Sequence, residues 1–352
     1  MRILHLNNEL SISCGVTRSI INICNYSKNE HKCYIIALKG NAAERLNQNN
    51  MDFRFYNSAF PDPIRFLIVI YKIYLFCKKN KIDVIHAHHR YFDLIGFIIS
   101  KTLKIKTVTS VHSKVYWKRI LSYKADKIIA VSEAVKKHLI NNFNLPITKI
   151  SVLNNFIDPN KINISKKKDE LLKELKIDSE KKILLFSGRL SREKGLDILL
   201  KAFDSIFINN KNIVLLVIGD SELNEGSQKF IEDKKDSVVY IESQKEIFNF
   251  INIADLIILP SRTDSFPFAM LEAGFLKKAI IGSRVDGIAE FIENEVDGIL
   301  FASEDVEELS DKINLLLSRP DKCVKLGENL YRKVNTLSGQ KIIRKIIDLY
   351  KY

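Results

Sequence analysis

Short apolar runs recur along the whole chain, and longer stretches with helical spacing separate them. The runs are almost continuously apolar rather than alternating, which is typical of strands buried on both faces of a parallel sheet. Those of the first half are residues 2–6, 33–38, 83–86, 107–111, 127–131 and 150–153. Those of the second half are residues 183–187, 213–218, 238–241, 256–259, 279–281 and 299–301. Two successive series of this kind predict an α/β chain with two doubly wound domains that face each other.

The length also favours two domains, since a single core rarely grows beyond about 250–300 residues and this chain has 352. The boundary is predicted within Asn154–Glu180, where NNFIDPNK gives way to the lysine-rich KKKDELLKELK. Residues 1–158 then form the first domain and residues 159–337 the second. Residues 338–352 have a helical pattern, and we expect them to pack back toward the first domain.

The net charge of +13 is unevenly distributed. Residues 1–150 carry 24 Lys and Arg against 9 Asp and Glu, whereas residues 151–352 carry 31 against 33. A lysine-rich composition bias explains part of the excess but not its restriction to one half. The pattern predicts that the first half meets an anionic membrane surface or an anionic acceptor.

Residues 106–127 interleave cations, among them Lys118 and Arg119, with aromatic residues such as Tyr116 and Trp117. Such a run suits a membrane interface or a lipid-diphosphate acceptor. It would also suit single-stranded nucleic acid, but no RNA-binding signature accompanies it, so no nucleic-acid partner is expected.

Several classes of protein are disfavoured by missing patterns. The five cysteines form no CxxC pair and there is no HExxH, so neither a disulfide framework nor a zinc site is expected. The first residues, MRILHLNNEL, enter a strand directly, and no signal peptide is expected. The longest apolar run, Phe66–Cys77, is interrupted by Lys72 and is shorter than the roughly 20 residues that span a bilayer. Pro63–Lys79 is therefore interpreted as a core-packing helix with a basic end, with an interfacial helix as the alternative.

Two cations follow the strand predicted at 183–187, in the sequence SGRLSREKG. Ligands of open α/β sheets bind at the carboxyl ends of strands. Arg189 and Lys194 would converge there, and a forked guanidinium with a point-charge ammonium suits a diphosphate. Solvated charges in an ordinary loop are the alternative.

Two acids follow a later strand, in PSRTDSFPFAMLEAGF. Asp264 is predicted in a loop and Glu272 inside the following helix. The backbone N–H groups of Phe266–Ala269 would lie at the N-terminus of that helix, where anions bind. Glu272 can accept hydrogen bonds from two ribose hydroxyls. Together, SGRLSREKG and PSRTDSFPFAMLEAGF suggest a site for a nucleotide sugar. The alternative is an ordinary helix with acids in its first turns.

In these stretches the chain resembles the retaining glycosyltransferases of the GT-B fold, which have two Rossmann-like domains facing across a cleft. It is most similar to family 4 (glycosyl transferases group 1), which includes enzymes of bacterial capsule, O-antigen and lipopolysaccharide synthesis. GRLSREKGLD is similar to G-R-x(3)-E-K-G-x-D, and PSRTDSFPFAMLEAGFLKK to P-S-x(2)-E-x(7)-E-A-x(3)-G. VDGIAEFIENEVDGILF is similar to the tail G-G-x(2)-E…G-x-L-F. The resemblance implies that the first domain binds the acceptor and the second the nucleotide sugar.

The resemblance implies roles for the matching residues. Arg189 and Lys194 would neutralise the donor diphosphate, Glu272 would bind the ribose, and Asp264 would hold the sugar. The other implied site residues are the backbone of Phe266, Pro267, Phe268 and Ala269 at the sugar, Gly15 facing the diphosphate, Gly219 beside the nucleotide, His112 near the sugar from the first domain, and Glu290 behind Glu272.

The chain departs from the family pattern in four places. Asp264 stands where Glu is usual and reaches one methylene less, and Cys14–Gly15 stands where two glycines are usual. These two touch the implied site and would change sugar preference or rate. The other two, at residues 155–156 and 275–278, are interpreted as structural.

The function implied is sugar transfer with retention from a nucleotide sugar, UDP-sugar favoured over GDP-sugar, to a glycan or lipid-linked acceptor. No cofactor and no metal are expected, because two cations face the diphosphate and no DxD triplet lies near a strand end. A cytoplasmic protein, peripheral on the inner face of the membrane, is expected. The alternatives are a nucleotide-sugar epimerase on the same fold and a non-catalytic nucleotide-binding module.

The histidines receive separate predictions. His86 continues a strand and is predicted to be in the core. His88, His89 and Arg90 follow at its carboxyl end, where they either face the cleft or are ordinary polar loop residues. His138 lies in a helical pattern and is predicted to be at the surface.

Overall fold

The computed structural model describes residues 1–12, 14–56, 63–117, 121–220, 224–244 and 246–352. Lys118 and Arg119 of the basic aromatic run lie outside the described residues. The chain divides by its contacts into two compact units. One unit comprises Met1–Phe156 with Ser338–Tyr352, and the other comprises Ile157–Leu337.

The first unit is built on a parallel sheet of seven strands within its described residues, in the order β3-β2-β1-β4-β5-β6-β7. Its strands are β1 Arg2–Leu10, β2 Lys32–Gly40, β3 Asp52–Phe55, β4 Val84–Ala87, β5 Lys106–Val111, β6 Lys127–Ala130 and β7 Ile150–Val152. Its helices, numbered along the whole chain, are α1 Gly15–Ser27, α2 Ala43–Gln48, α3 Pro63–Asn80, α4 Arg90–Leu103, α5 Glu133–Phe143 and α14 Gly339–Lys351. The order of strands reverses at β1, which is the mark of a doubly wound sheet.

The second unit repeats this architecture with six described strands, in the order β10-β9-β8-β11-β12-β13. Its strands are β8 Lys182–Ser187, β9 Ile213–Gly219, β10 Val238–Glu242, β11 Leu256–Leu259, β12 Ala279–Ser283 and β13 Ile299–Phe301. Its helices are α6 Lys168–Glu174, α7 Leu196–Asn209, α8 Glu225–Asp233, α9 Ile247–Ile253, α10 Phe268–Phe275, α11 Asp286–Phe291, α12 Val306–Leu317 and α13 Pro320–Val334. The predicted fold class of two parallel-sheet α/β domains is thereby confirmed.

The central strands owe their position to their apolar runs. Every residue of β9 and of β11 is buried. Helix α7 covers one face of this sheet with buried residues that include Leu199, Phe203 and Ile206. Because helices cover both faces of such a sheet, the strand sequences show no alternation.

The C-terminal helix α14 packs on the first unit, although it follows the second in sequence. Ile343, Ile346, Ile347 and Tyr350 recur at helical spacing and are buried. They lie in one cluster with strand residues of the first sheet, including Ile3. The Ser338 hydroxyl caps the helix by accepting a hydrogen bond from the backbone N–H of Lys341.

Two strands differ from the sequence prediction by more than two residues at an end. Strand β3 was not predicted, because Asp52–Phe55 is a short edge strand whose residues alternate between polar and apolar. Strand β1 extends to Leu10 through Asn7 and Glu9, since it pairs with β2 along this length. Polar residues at the end of a strand ended the predicted run too early.

Helix α3 has two unlike faces. Val69, Ile73 and Cys77 are buried in the core of the first unit, as the predicted core-packing helix requires. The opposite face exposes large apolar side chains, which are Ile64, Leu67, Ile68, Tyr71 and Leu75. In the part of the chain that the structure describes, no helix is long and apolar enough to cross a membrane.

Candidate active site

The loop after β8 carries the predicted cations and is fixed by a glycine. A short 3₁₀ helix, Arg192–Lys194, ends at Gly195, whose φ of 69° is a left-handed conformation that favours glycine. A Cβ at Gly195 would lie 2.0 Å from the carbonyl oxygen of Pro260. The close approach joins the loops that follow β8 and β11, which are neighbouring strands.

Across these two loops, Lys194 meets Asp264. The Nζ of Lys194 lies 2.5 Å from Oδ2 of Asp264. The Asp264 side chain is only 9% exposed and that of Lys194 is 23% exposed. Charge-assisted hydrogen bonds are stronger in such a partly desolvated place than in water. Two residues 70 positions apart, for which the sequence implied separate roles, are therefore direct partners.

Arg262 clamps the same two loops together. Its guanidinium donates two hydrogen bonds of 2.8 Å to the carboxylate of Asp197, at the start of α7, and one of 2.8 Å to the carbonyl of Arg192. A further ion pair joins it to Glu304 at 2.7 Å. The hydrogen bonds from Arg262 lower the pKa of Asp197. Neither Arg262 nor Asp197 is among the predicted site residues, although both lie inside the two motifs.

A third loop, after β12, holds the backbone around Asp264. The carboxylate of Asp286 accepts hydrogen bonds from the hydroxyl of Thr263 at 2.6 Å and from the backbone N–H of Asp264 at 3.3 Å. The N–H of Gly287 donates to the carbonyl of Asp264 at 3.0 Å. A Cβ at Gly287 would lie 1.9 Å from the carbonyl oxygen of Ser265, so only glycine fits there.

Helix α10 begins at Phe268, directly after the loop that carries Asp264. Its N-cap residue is Pro267, which makes no side-chain capping hydrogen bond. The first N–H groups of a helix have no partner within the helix and can bind an anion. Glu272 lies one turn further along and is 3% exposed, while Phe266 and Ala269 are also buried.

Arg189 and Gly219 lie side by side at the ends of β8 and β9. A Cβ at Gly219 would lie 2.1 Å from the carbonyl oxygen of Gly188. The N–H of Leu190 donates to the carbonyl of Asp220 at 2.9 Å. Arg189 itself is exposed, whereas the backbone on either side of it is fixed by these contacts. Glu290 is exposed on α11.

The remaining two predicted residues belong to the first unit. Gly15 is the first residue of α1, after the loop that follows β1, and the N-cap residue Cys14 makes no side-chain capping hydrogen bond. His112 directly follows β5. Both therefore lie at carboxyl ends of strands in their own sheet.

His112 is the end of a chain of hydrogen-bonded histidines. Its Nε2 lies 3.1 Å from Nδ1 of His88, and Nε2 of His88 lies 3.0 Å from Nδ1 of His5. The ring of His86 lies beside that of His88, with 4.2 Å between the ring centroids, and forms hydrogen bonds with the hydroxyls of Tyr350 and Ser110. Burial lowers the pKa of His112 to about 4. The ring is therefore neutral at pH 7 and contributes hydrogen bonds rather than charge.

Of the predictions for His86 and His138, the structure confirms the first and contradicts the second. His86 is fully buried, which confirms its core position. The surface prediction for His138 is wrong, because the residue is 6% exposed and its Nε2 bonds the backbone of Val115 at 2.8 Å. Burial and the adjacent cation of Arg90 lower the pKa of His89 to about 4.

The sequence matches two family models. Residues 167–333 match the model "Glycosyl transferases group 1", and residues 14–161 match "Glycosyltransferase Family 4". Together the two matches cover most of the chain. The chain is a glycosyltransferase of this family.

Relatives and solved structures agree with this assignment. The chain is 25% identical over 302 residues to the capsular polysaccharide biosynthesis glycosyltransferase CapM of Staphylococcus aureus, covering 79% of each chain. It is 27% identical over 309 residues to an Escherichia coli UDP-Gal:alpha-D-GlcNAc-diphosphoundecaprenol alpha-1,3-galactosyltransferase, covering 81% of this chain and 78% of the relative. The fold matches Anabaena HepE in complex with UDP-glucose with a TM-score of 0.87 at 19% identity, covering 99% and 98% of the two chains. The glycosyltransferase therefore has the GT-B fold.

Proposed function

We propose that this glycosyltransferase moves a sugar from a UDP-sugar to a glycan or lipid-linked acceptor in bacterial surface-polysaccharide synthesis, with retention at the anomeric carbon. The single observation that carries the proposal is the Lys194–Asp264 pair beside the start of α10, with the buried Glu272 one turn away. The similarity to a capsule enzyme and to a galactosyltransferase that uses UDP-Gal and a diphosphoundecaprenol-linked sugar supports the substrate classes.

The donor is held by groups of opposite character. Lys194, the exposed Arg189 and the first N–H groups of α10 suit the diphosphate. The carboxylate of Glu272 accepts hydrogen bonds from two ribose hydroxyls. Inside a buried site these hydrogen bonds replace those that the carboxylate would make with water. When the Lys194 ammonium turns toward the phosphates, the Asp264 carboxylate accepts a hydrogen bond from a sugar hydroxyl. The clamp of Arg262 and Asp197 keeps these loops in place.

Catalysis rests on stabilising the leaving diphosphate. As the sugar becomes oxocarbenium-like, negative charge accumulates on the phosphate oxygens, and the two cations with the helix N–H groups stabilise it. The acceptor attacks from the face that the diphosphate leaves, and the leaving phosphate takes the acceptor proton. This route needs neither a side-chain base nor a metal ion, so we propose that transfer is metal-independent.

The acceptor side is proposed to lie against an anionic membrane through the outer face of α3. Ile64, Leu67 and Tyr71 are each more than 60% exposed on this face. The same helix exposes Arg65 and Lys72 beside them. Apolar side chains interleaved with cations suit the headgroup boundary of an anionic bilayer. A cytoplasmic protein bound to the inner membrane surface fits a lipid-linked acceptor.

The proposal is tested by a transfer assay with a chelator present. Radiolabelled UDP-glucose, UDP-galactose and their N-acetyl forms are offered with polyprenyl-diphosphate-linked sugars, and the anomer of the product is read by proton NMR. We expect one UDP-sugar to give an α-linked product from its α-linked donor. A β-linked product, or transfer that depends on an added divalent metal, would contradict the mechanism.

A further inference from the structure

Two cysteines and a histidine converge in the core of the first unit. Cys24 lies on α1, Cys33 on β2 and His5 on β1. One ligand atom from each of the three side chains lies within 4.8 Å of both others. Cys24 is 1% exposed and His5 is fully buried, while Cys33 is partly buried. No CxxC or HxxxH spacing marks this group in the sequence, because its members lie on three separate elements.

The His5 ring is held in a way that leaves one nitrogen available. Its Nδ1 lies 3.0 Å from Nε2 of His88. Its Nε2 is buried and makes no hydrogen bond of normal geometry with any described residue. When Nδ1 carries the proton and donates it to His88, Nε2 has its lone pair free. A metal-binding histidine ordinarily donates its second ring N–H to a neighbouring group in this manner.

We propose that Sγ of Cys24, Sγ of Cys33 and Nε2 of His5 bind one thiophilic metal ion of the Zn²⁺ or Cu⁺ class. Thiolate and imidazole ligands select such ions over Mg²⁺ or Ca²⁺. Around zinc the ligand distances are about 2.3 Å to sulfur and 2.0–2.1 Å to nitrogen. Three atoms that already lie within 4.8 Å of one another reach these distances by small rotations of their side chains.

The neighbouring histidines do not compete for this role. Both ring nitrogens of His86 are engaged, with Tyr350 and Ser110, and both of His88 are engaged, with His5 and His112. An ion among them would have to break these bonds. The histidine chain therefore acts as the support that orients His5.

Three protein ligands leave one position for water or a small solute when the ion is four-coordinate. The bound ion would crosslink α1, β1 and β2 in the core of the first unit. Ion binding thus stabilises the folded unit, since the ligands are brought together only on folding. This site is separate from the proposed metal-independent transfer, whose cations lie in the second unit.

The test is a metal titration of the full chain under reducing conditions. Zn²⁺ is added against a chromophoric chelator, and Cu⁺ is added in a second arm against a Cu⁺-selective chelator. We expect about one ion per chain to be taken from the chelator, with at least tenfold weaker binding in Cys24→Ser and Cys33→Ser. Cys77→Ser is the matched control, because Cys77 is also buried in the first unit but packs in a different cluster, and it should bind as the parent does.

Co²⁺ substitution identifies the ligands directly. The parent and Cys77→Ser should show thiolate-to-cobalt charge-transfer absorption, which the Cys24→Ser and Cys33→Ser variants should lose while their circular dichroism stays unchanged. The proposal would be overturned if the parent bound neither Zn²⁺ nor Cu⁺ more tightly than Cys33→Ser does. Cobalt binding by the parent without the thiolate charge-transfer band would also overturn it. Neither readout depends on transferase activity.

Discussion

Replacing Lys194 by methionine separates its two effects, on stability and on transfer. The change removes the ammonium that lies 2.5 Å from Asp264 and keeps the apolar stem. The Asp264 carboxylate is 9% exposed, and its other side-chain hydrogen-bond partner is the Ser261 hydroxyl at 3.4 Å. A buried polar group that loses its partner costs about 1–3 kcal/mol of folding stability. For a unit of this size that loss lowers the melting temperature by about 2–12 °C.

The same substitution removes a cation from the leaving diphosphate. Loss of one preorganised donor to developing charge typically lowers kcat by about 10²–10³-fold, or 2.7–4 kcal/mol. We therefore expect Lys194→Met to be modestly less stable and severely slower in transfer.

The double variant Lys194→Met with Asp264→Asn tells the two effects apart. Without the negative charge at position 264, no buried charge is left unpaired, so the free energy of unfolding should return to within about 1 kcal/mol of the parent. Transfer should remain at least as slow as in the single variant, because the phosphate cation is still missing. Thermal unfolding and initial transfer rates are measured on all three proteins. Near-parental transfer by the double variant would refute the assignment of Lys194 to the diphosphate.

Four further outcomes are expected. Asp264→Asn alone should keep measurable transfer, checked by initial rates, because Asp264 positions the sugar and is not a nucleophile; donor binding with no transfer at all would instead indicate a covalent intermediate. Arg262→Ala should lower the free energy of unfolding by about 2 kcal/mol in a denaturant titration, since it removes a bidentate ion pair; no change would mean that the clamp is unimportant. The pKa of His112 is about 4 in the folded protein and near its ordinary value in the unfolded chain, so the folding stability should fall as the pH drops from about 6.5 to 4. In thermal unfolding measured across this pH range, His112→Gln should show a weaker fall than the parent. Leu67→Glu with Tyr71→Glu should abolish co-sedimentation with anionic vesicles without changing UDP binding; unchanged sedimentation would exclude this face.

The sheets could be predicted from sequence because their strands are buried on both faces. The run Leu256–Leu259 was predicted to the residue, since Asp255 and Pro260 bound its four apolar side chains on either side. The edge strand Asp52–Phe55 was missed because an edge strand is only half buried and its short polar–apolar pattern resembles a loop.

The residue types of the site could be predicted, but not their mutual contacts. The two motifs placed Lys194 and Asp264 at strand ends, yet only the adjacency of β8 and β11 makes them partners. In the same way, His5 and His86 meet because β1 and β4 pair in that register. Contacts between elements far apart in sequence depend on strand order and register, which cannot be read from the local pattern of one sequence.

Helix α3 gives a second example of what the sequence pattern does not reveal. Its apolar residues predicted a buried helix, and one face is buried, but the residues on the outer face are apolar as well. The spacing of apolar residues indicates which side chains avoid water, but it does not indicate whether protein or lipid covers them.

A calorimetric titration with UDP and with GDP in the presence of a chelator tests the proposed donor site directly. The parent should bind UDP without metal. Glu272→Gln keeps the shape of the buried side chain but loses charge-assisted bonds to the ribose, so UDP binding should weaken by about 10–100-fold. Arg192→Ala, an exposed cation of the loop after β8 that has no assigned role, should bind UDP as the parent does. Equal UDP affinity in Glu272→Gln, or no nucleotide binding by the parent without metal, would contradict the proposed donor site.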